Sequence, residues 1–141
     1  MSQKDSKTVT VNGSADDVLA FLRDVDNQSN WFPGNPESEV LERDADGRVA
    51  KARLVNDVKV AKDEFILNYT HGPDWMHWEL EKPTSVQKMQ QGTWTVVDAG
   101  DTCQATMELE LETSLPMPGM LQRKILRDTV SGATKALTKQ F

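Results

Sequence analysis

Cys103-Gln104-Ala105-Thr106-Met107-Glu108-Leu109-Glu110-Leu111-Glu112 alternates residue by residue between apolar and polar side chains. Cys103, Ala105, Met107, Leu109 and Leu111 fall on one face; Gln104, Thr106 and three glutamates fall on the other. A period of two with one apolar face predicts a half-buried strand. Residues 114–119 (Ser-Leu-Pro-Met-Pro-Gly) end the ladder, because proline has no N–H to donate. Pro118 suits the first turn of a helix. Beyond it, Leu121, Ile125, Leu126, Val130, Ala133, Leu137 and Phe141 recur at helical spacing and predict one long amphipathic helix. At about 1.5 Å per residue it runs roughly 30 Å, enough to cross a small sheet. Its other face carries Arg123, Lys124, Arg127, Lys135 and Lys139 against Asp128.

Upstream, the chain reads as a sheet shaped to wrap that helix. Residues 1–7 are polar and predict a disordered lead, with a β-branched strand over residues 7–12. Ser14 is a good helix N-cap, followed by Asp16 and Asp17 in the positive first turn. Val18, Leu19, Phe21, Leu22 and Val25 supply a helical stripe, and a second short helical turn follows near residues 27–31. Strands are expected over residues 38–43, 48–56, 59–70, 75–81 and 86–97, joined by turns at Asp44-Ala45-Asp46-Gly47, His71-Gly72-Pro73-Asp74 and Pro83. Strands in hairpin succession form an antiparallel sheet. The fold class is therefore α+β: a curved antiparallel sheet of about seven strands around a long C-terminal helix, with two short helices after the first strand. No repeat or domain boundary interrupts residues 8–141, which read as one domain.

Composition bounds the function. The 141 residues carry 16 basic and 22 acidic side chains, a net charge of −6. That balance argues against general nucleic-acid binding, which needs a basic footprint. The basic face of the last helix is the local exception; a weak peripheral contact with anionic lipid is the partner it suggests. No apolar run is long enough to span a membrane, and residues 1–7 lack the apolar core of a signal peptide. One cysteine cannot form an internal disulfide, which fits a reducing cytoplasm. His71 and His77, six residues apart with no cysteine nearby, do not make a metal site. There is no phosphate loop and no nucleophile elbow.

The element order resembles that of the START-like superfamily, also called SRPBCC or the polyketide cyclase/dehydrase and lipid-transport family, whose fold is the helix-grip. The phrases that carry the resemblance are residues 11–26 (Val-Asn-Gly-Ser-Ala-Asp-Asp-Val-Leu-Ala-Phe-Leu-Arg-Asp-Val-Asp), Trp31-Phe32-Pro33, Gly92-Thr93-Trp94-Thr95 and Leu115-Pro116-Met117-Pro118-Gly119. The resemblance implies a hydrophobic cavity between sheet and long helix and no fixed cofactor. Members bind lipids, sterols, polyketides, hormones or quinones, and a minority catalyse cyclisation or dehydration.

On that footing the candidate ligand-binding residues are Trp31, Phe32, Phe65, Tyr69, Trp78, Trp94, Met107, Met120 and Leu121. Trp31 and Phe32 follow the helix pair, where the fold places loops around the cavity mouth. Met120, Leu121 and Leu126 are expected at the same mouth. Trp78 and Trp94 are expected on the concave face, with Gly92 as a bulge that turns both Met89 and Trp94 inward. Phe65, Leu67, Tyr69, Met107 and Leu109 would form the wall, and a buried Tyr69 hydroxyl would need a partner. Core packing is the competing role for each. His71 is expected exposed in a turn and His77 outward-facing; Cys103 reads as a small buried hydrophobe. Arg53, Asp57 and Tyr69 are the polar groups expected within reach of a cavity.

Three functions follow as alternatives. The first is enclosure of a small hydrophobic molecule in a cavity of about 300–1,000 Å³. The second, a polyketide aromatase, cyclase or dehydratase, requires at least two ionisable or hydroxyl groups inside. The third is a protein-interaction module with a collapsed core and an exposed aromatic patch around Trp31 and Phe32.

Overall fold

The structure, a computed structural model, describes residues 2–58 and 61–141. Seven strands form one antiparallel sheet: β1 (Gln3–Val11), β2 (Glu37–Arg43), β3 (Val49–Val58), β4 (Ala61–His71), β5 (Trp75–Leu80), β6 (Gln87–Asp98) and β7 (Cys103–Thr113). Helix α1 (Ala15–Arg23) and a 3₁₀ helix (Val25–Asn30) follow β1, and α2 (Gly119–Thr138) closes the chain. The strand order is β1-β7-β6-β5-β4-β3-β2. Only the β1–β7 contact departs from sequence order, and it brings the first strand beside the last. The first two residues of the strand expected over 59–70 lie outside the described residues.

Hairpin chemistry explains the succession. Gly47 and Gly100 adopt φ of +80° and +90° at the β2–β3 and β6–β7 turns, which side chains with a Cβ resist. The Asp44 carboxylate accepts from the N–H groups of Asp46 and Arg48 in the first turn, and Asp98 accepts from Gly100 in the second. These side-chain bonds satisfy turn amides that the ladder cannot reach.

The alternation in β7 holds: Cys103, Ala105, Met107 and Leu109 are buried on the concave face. Helix α2 packs against β1 and β7 through Leu126, Val130, Ala133 and Leu137, all buried. This curved sheet gripping one long helix is the helix-grip fold. Pro118 stands one residue before α2 rather than within its first turn. The expectation for α1 holds at its cap, where the Asp17 N–H donates to Ser14 Oγ at 3.1 Å.

The sheet departs from expectation at its edge. Residues 3–7 belong to β1, whereas the polar composition predicted a disordered lead there. They pair with Met107 to Leu111 in register, Gln3 opposite Leu111 and Lys7 opposite Met107. Edge strands tolerate polar side chains, because most of their surface faces water; backbone pairing holds the segment instead.

Candidate functional site

Between the sheet and α2 lies a cavity of about 150 Å³. Its wall is built by alternation along adjacent strands. Leu54 comes from β3; Phe65, Leu67 and Tyr69 from β4; Met76 and Trp78 from β5; Trp94 from β6; Met107, Leu109 and Leu111 from β7. Register aligns these faces: Phe65 pairs with Leu54, Tyr69 with Trp78, Met76 with Trp94 and Trp94 with Met107. The roof is one stripe of α2, Gln122, Ile125 and Thr129, with Leu115 and Met117 before it and Phe32 and Gln28 beside it. Gly92 makes room for the Trp78 indole. A Cβ there would sit 2.3 Å from the indole edge, so only glycine fits without a shift. The volume is below the 300–1,000 Å³ expected for a generic ligand site. It suits a compact molecule; an apolar cavity of about 150 Å³ accepts a benzene ring.

One part of this wall is polar. The β6 strand carries a bulge at Lys88, where pairing skips from Gln87–Thr113 to Met89–Glu112. The extra residue puts both Gln87 and Gln90 on the concave face, three apart instead of two. From there a chain of hydrogen bonds runs in one direction. Trp78 Nε1 donates to Gln90 Oε1 (3.0 Å), Gln90 Nε2 to Gln87 Oε1 (2.6 Å), and Gln87 Nε2 to Asp63 Oδ2 (2.6 Å). Asp63 is only 5% exposed. The donor sequence settles both amide orientations, since either flip would face donor to donor or acceptor to acceptor. A second short chain lies at the rim: Gln28 Nε2 donates to Asn35 Oδ1, and Asn35 Nδ2 to Asn56 Oδ1, each at 3.2 Å.

Tyr69 is buried on the same wall, and its hydroxyl has no hydrogen-bond partner among the described residues. Burial pushes its phenol well above the ordinary range, so it remains protonated. The partner that a buried Tyr69 hydroxyl is expected to need is not supplied by a backbone group among the described residues.

Of the nine candidate residues, Phe32, Phe65, Tyr69, Trp78, Trp94 and Met107 line the cavity. Trp31, Met120 and Leu121 do not. Trp31 is 9% exposed and packs in the core against Phe21 and Phe32. Met120 is 87% and Leu121 40% exposed. The phase of α2 explains this: the stripe through 122, 125 and 129 faces the cavity, and the stripe through 126, 130, 133 and 137 faces β1 and β7. Leu126, also expected at the mouth, therefore lies in the core. Met120 and Leu121, in the first turn, fall outside both stripes.

Further expectations shift. The bulge is at Lys88, not Gly92, and alternation from Gln90 turns Met89 to the convex side. Arg53 points to the convex face, where it meets Glu37, Glu39 and Glu64 at 3.3, 3.3 and 2.9 Å. Asp57 is exposed. His71 is half-buried at the end of β4: Arg23 Nε donates to its Nδ1 at 3.2 Å, and its Nε2 donates to the Val49 carbonyl at 2.7 Å. Cys103 is fully buried, and burial raises its thiol pKa.

Sequence reading missed Asp63, Gln87 and Gln90. Extending the β4 alternation two residues back from Phe65 reaches Asp63. The two glutamines have no such signal, because the bulge breaks the period that would have marked them.

A curved sheet, a gripped helix and an apolar cavity between them define a START-like protein. The chain belongs to the polyketide cyclase / dehydrase and lipid transport family, which matches residues 2–141. It is similar to the structure of a START superfamily protein from Mycobacterium smegmatis, at 25% identity and a TM-score of 0.89, over 97% of this chain and 95% of that one. It is also similar in fold to an aromatase/cyclase from Streptomyces (17% identity, TM-score 0.75, 99% and 93% of the two chains). A third likeness is to a STAR-related lipid transfer protein from Xanthomonas axonopodis (22% identity, TM-score 0.75, 97% and 84%). Comparison with curated proteins gives no match.

Proposed function

We propose that this protein binds a small hydrophobic molecule in the cavity between sheet and α2, to carry or present it. The observation that carries the reading is the wall itself. Phe65, Tyr69, Trp78 and Trp94 bring aromatic faces onto one space, with Leu67, Met107 and Leu109 between them. Rigid rings offer large contact area with little side-chain entropy to lose. Met76, Met107 and Met117 add adaptable surface. Family membership and the likeness to a lipid transfer protein support the same reading. The cavity speaks against a collapsed interaction module, as does the burial of Trp31.

Native mass spectrometry of protein purified without detergent tests the proposal. A discrete added mass, released on denaturation and extractable, is the expected result. A clean apo mass, together with no melting shift across a panel of lipids, quinones and polyketides, would overturn it.

Catalysis of the aromatase/cyclase type is the second reading. It is favoured by two protic features on the cavity wall: the unpartnered Tyr69 hydroxyl and the amide chain ending on Asp63. The chain's likeness to a Streptomyces aromatase/cyclase is in keeping with it. In this reading the Tyr69 O–H donates to a ligand carbonyl and Asp63 accepts a proton. Tyr69→Phe would then abolish cyclisation of a poly-keto thioester while leaving the melting temperature nearly unchanged, since no protein bond is lost. Equal rates for variant and parent would remove Tyr69 from that role.

A further inference from the structure

The polar end of the cavity holds a carboxylate without a counter-charge. Asp63 is 95% buried by its 5% exposure, and its Oδ2 accepts one bond, from the neutral amide of Gln87. Its Oδ1 has no partner among the described residues. Asn56 lies directly opposite in the β3–β4 register, yet its side-chain oxygen is taken by Asn35 and no bond joins it to Asp63. The described lining contains a second carboxylate, Glu112, and no Lys, Arg or His.

A buried charge that is not paired is costly, and folded proteins pair it with a cation or a set of hydrogen bonds. The amide chain from Trp78 through Gln90 and Gln87 supplies part of this. Every donor in it points toward Asp63, so the chain stabilises an acceptor there and nothing else. The remaining valence is the one facing the cavity. Aromatic faces beside it add a second element that favours positive charge, because the ring quadrupole attracts cations. A bound carboxylate or phosphate would meet the Asp63 carboxylate, with no Lys, Arg or His in the described lining to offset it.

We infer that the cavity selects a compact aromatic or alicyclic amine, whose ammonium group donates to Asp63 Oδ1 while its apolar body fills the space among Phe65, Tyr69, Trp78 and Trp94. This rests on the proposed ligand-binding function and deepens it by naming the ligand's head group. Charge-assisted bonds of this kind strengthen binding by about ten- to a hundredfold over a matched neutral head.

Four probes of one size test the assignment: benzylamine, benzyl alcohol, toluene and benzoate, titrated by ligand-observed NMR and isothermal calorimetry against the full chain. The expected order of affinity is amine, alcohol, toluene, benzoate, with at least about tenfold between amine and benzoate. Asp63→Asn keeps the acceptor for Gln87 and removes the charge, so it should erase the advantage of the amine over the alcohol while toluene binding persists. If Asp63→Asn does not fold, the unmodified protein still decides the matter through its amine-to-benzoate ratio. Benzoate binding as tightly as benzylamine, or an unchanged amine preference in a folded Asp63→Asn, would overturn the inference and leave apolar ligand binding intact. Failure of all four probes, and of larger lipids and quinones, would overturn the ligand-binding reading along with it.

Discussion

The indole of Trp31 lies in the core at the end of the 3₁₀ helix, its ring centroid 5.2 Å from that of Phe21 and 5.6 Å from that of Phe32. Its Nε1 is itself fully enclosed and has no hydrogen-bond partner among the described residues, whereas the Tyr69 hydroxyl and Asp63 lie on the cavity wall. Both facts mark a packing residue. Trp31→Ala would leave a large hole and should cost about 3–5 kcal/mol of stability. Trp31→Phe keeps a ring and discards an N–H that bonds to nothing, so its cost should be much smaller. Neither should change the affinity of a cavity ligand measured on folded protein. Urea denaturation of the two variants, with ligand titration of whichever remains folded, checks this. A Trp31→Ala protein with parental stability and weakened ligand binding would return Trp31 to the cavity mouth. Sequence placed this residue wrongly because an aromatic next to a proline turn reads the same whether its ring faces a cavity or a core. Phe32, its neighbour, does reach the lining.

Helix α1 is fastened at both ends by polar groups. Ser14 caps its start, and Arg23 at its end reaches across to the β4–β5 turn. There Arg23 Nη2 donates to the Gly72 carbonyl at 2.6 Å and to the Trp75 carbonyl at 3.3 Å, and Nε donates to His71 Nδ1. That last bond requires a neutral imidazole with its proton on Nε2, which the Val49 carbonyl accepts. Burial, followed by the nearby Arg23 and Arg48 charges, lowers the His71 pKa, against raising effects of the Val49 bond and Asp44. The unfolded chain takes up this proton near pH 6.5 while the folded one resists it. The stabilisation is therefore complete above about pH 6.5 and is lost progressively as pH falls below it. Melting temperature recorded from pH 8 to pH 5 should decline on the acid side. His71→Gln, which cannot take the proton, should show a shallower decline over that window. Parallel curves for the two proteins would show that the acid sensitivity comes from elsewhere. The sequence suggested an exposed turn for His71, because Gly72 and Pro73 follow it; the arm that buries it comes from Arg23, 48 residues earlier.

At the scale of the molecule, the legible features were those written in local periods: the two-residue period of β7, the helical stripe of α2 and the glycine turns. Each tells a side chain which way to face without knowing its neighbours. The features that escaped depend on pairing between distant segments. The bulge at Lys88 brings Gln87 and Gln90 inward, the rotational phase of α2 leaves Met120 and Leu121 in water, and the β1–β7 register orders residues 3–7. The last of these yields a clear experiment. Residues 2–7 look dispensable by composition, yet in the sheet they cover one edge of β7 through the five pairs from Gln3–Leu111 to Lys7–Met107. Each cross-strand pair contributes about 0.2–1 kcal/mol, so removing the segment should cost roughly 1–5 kcal/mol. Part of the loss should appear at the cavity, because Gln3 is among its lining residues and β7 supplies Met107, Leu109 and Leu111. Removal also exposes the β7 edge, an open template for pairing with another chain. A protein lacking residues 2–7 should therefore melt several degrees lower, bind a cavity ligand more weakly and self-associate on concentration in light scattering. A truncated chain that matched the parent in all three would mean that the first strand begins, in energetic terms, at Thr8, and that the pairing of residues 3–7 contributes nothing to holding the sheet around α2.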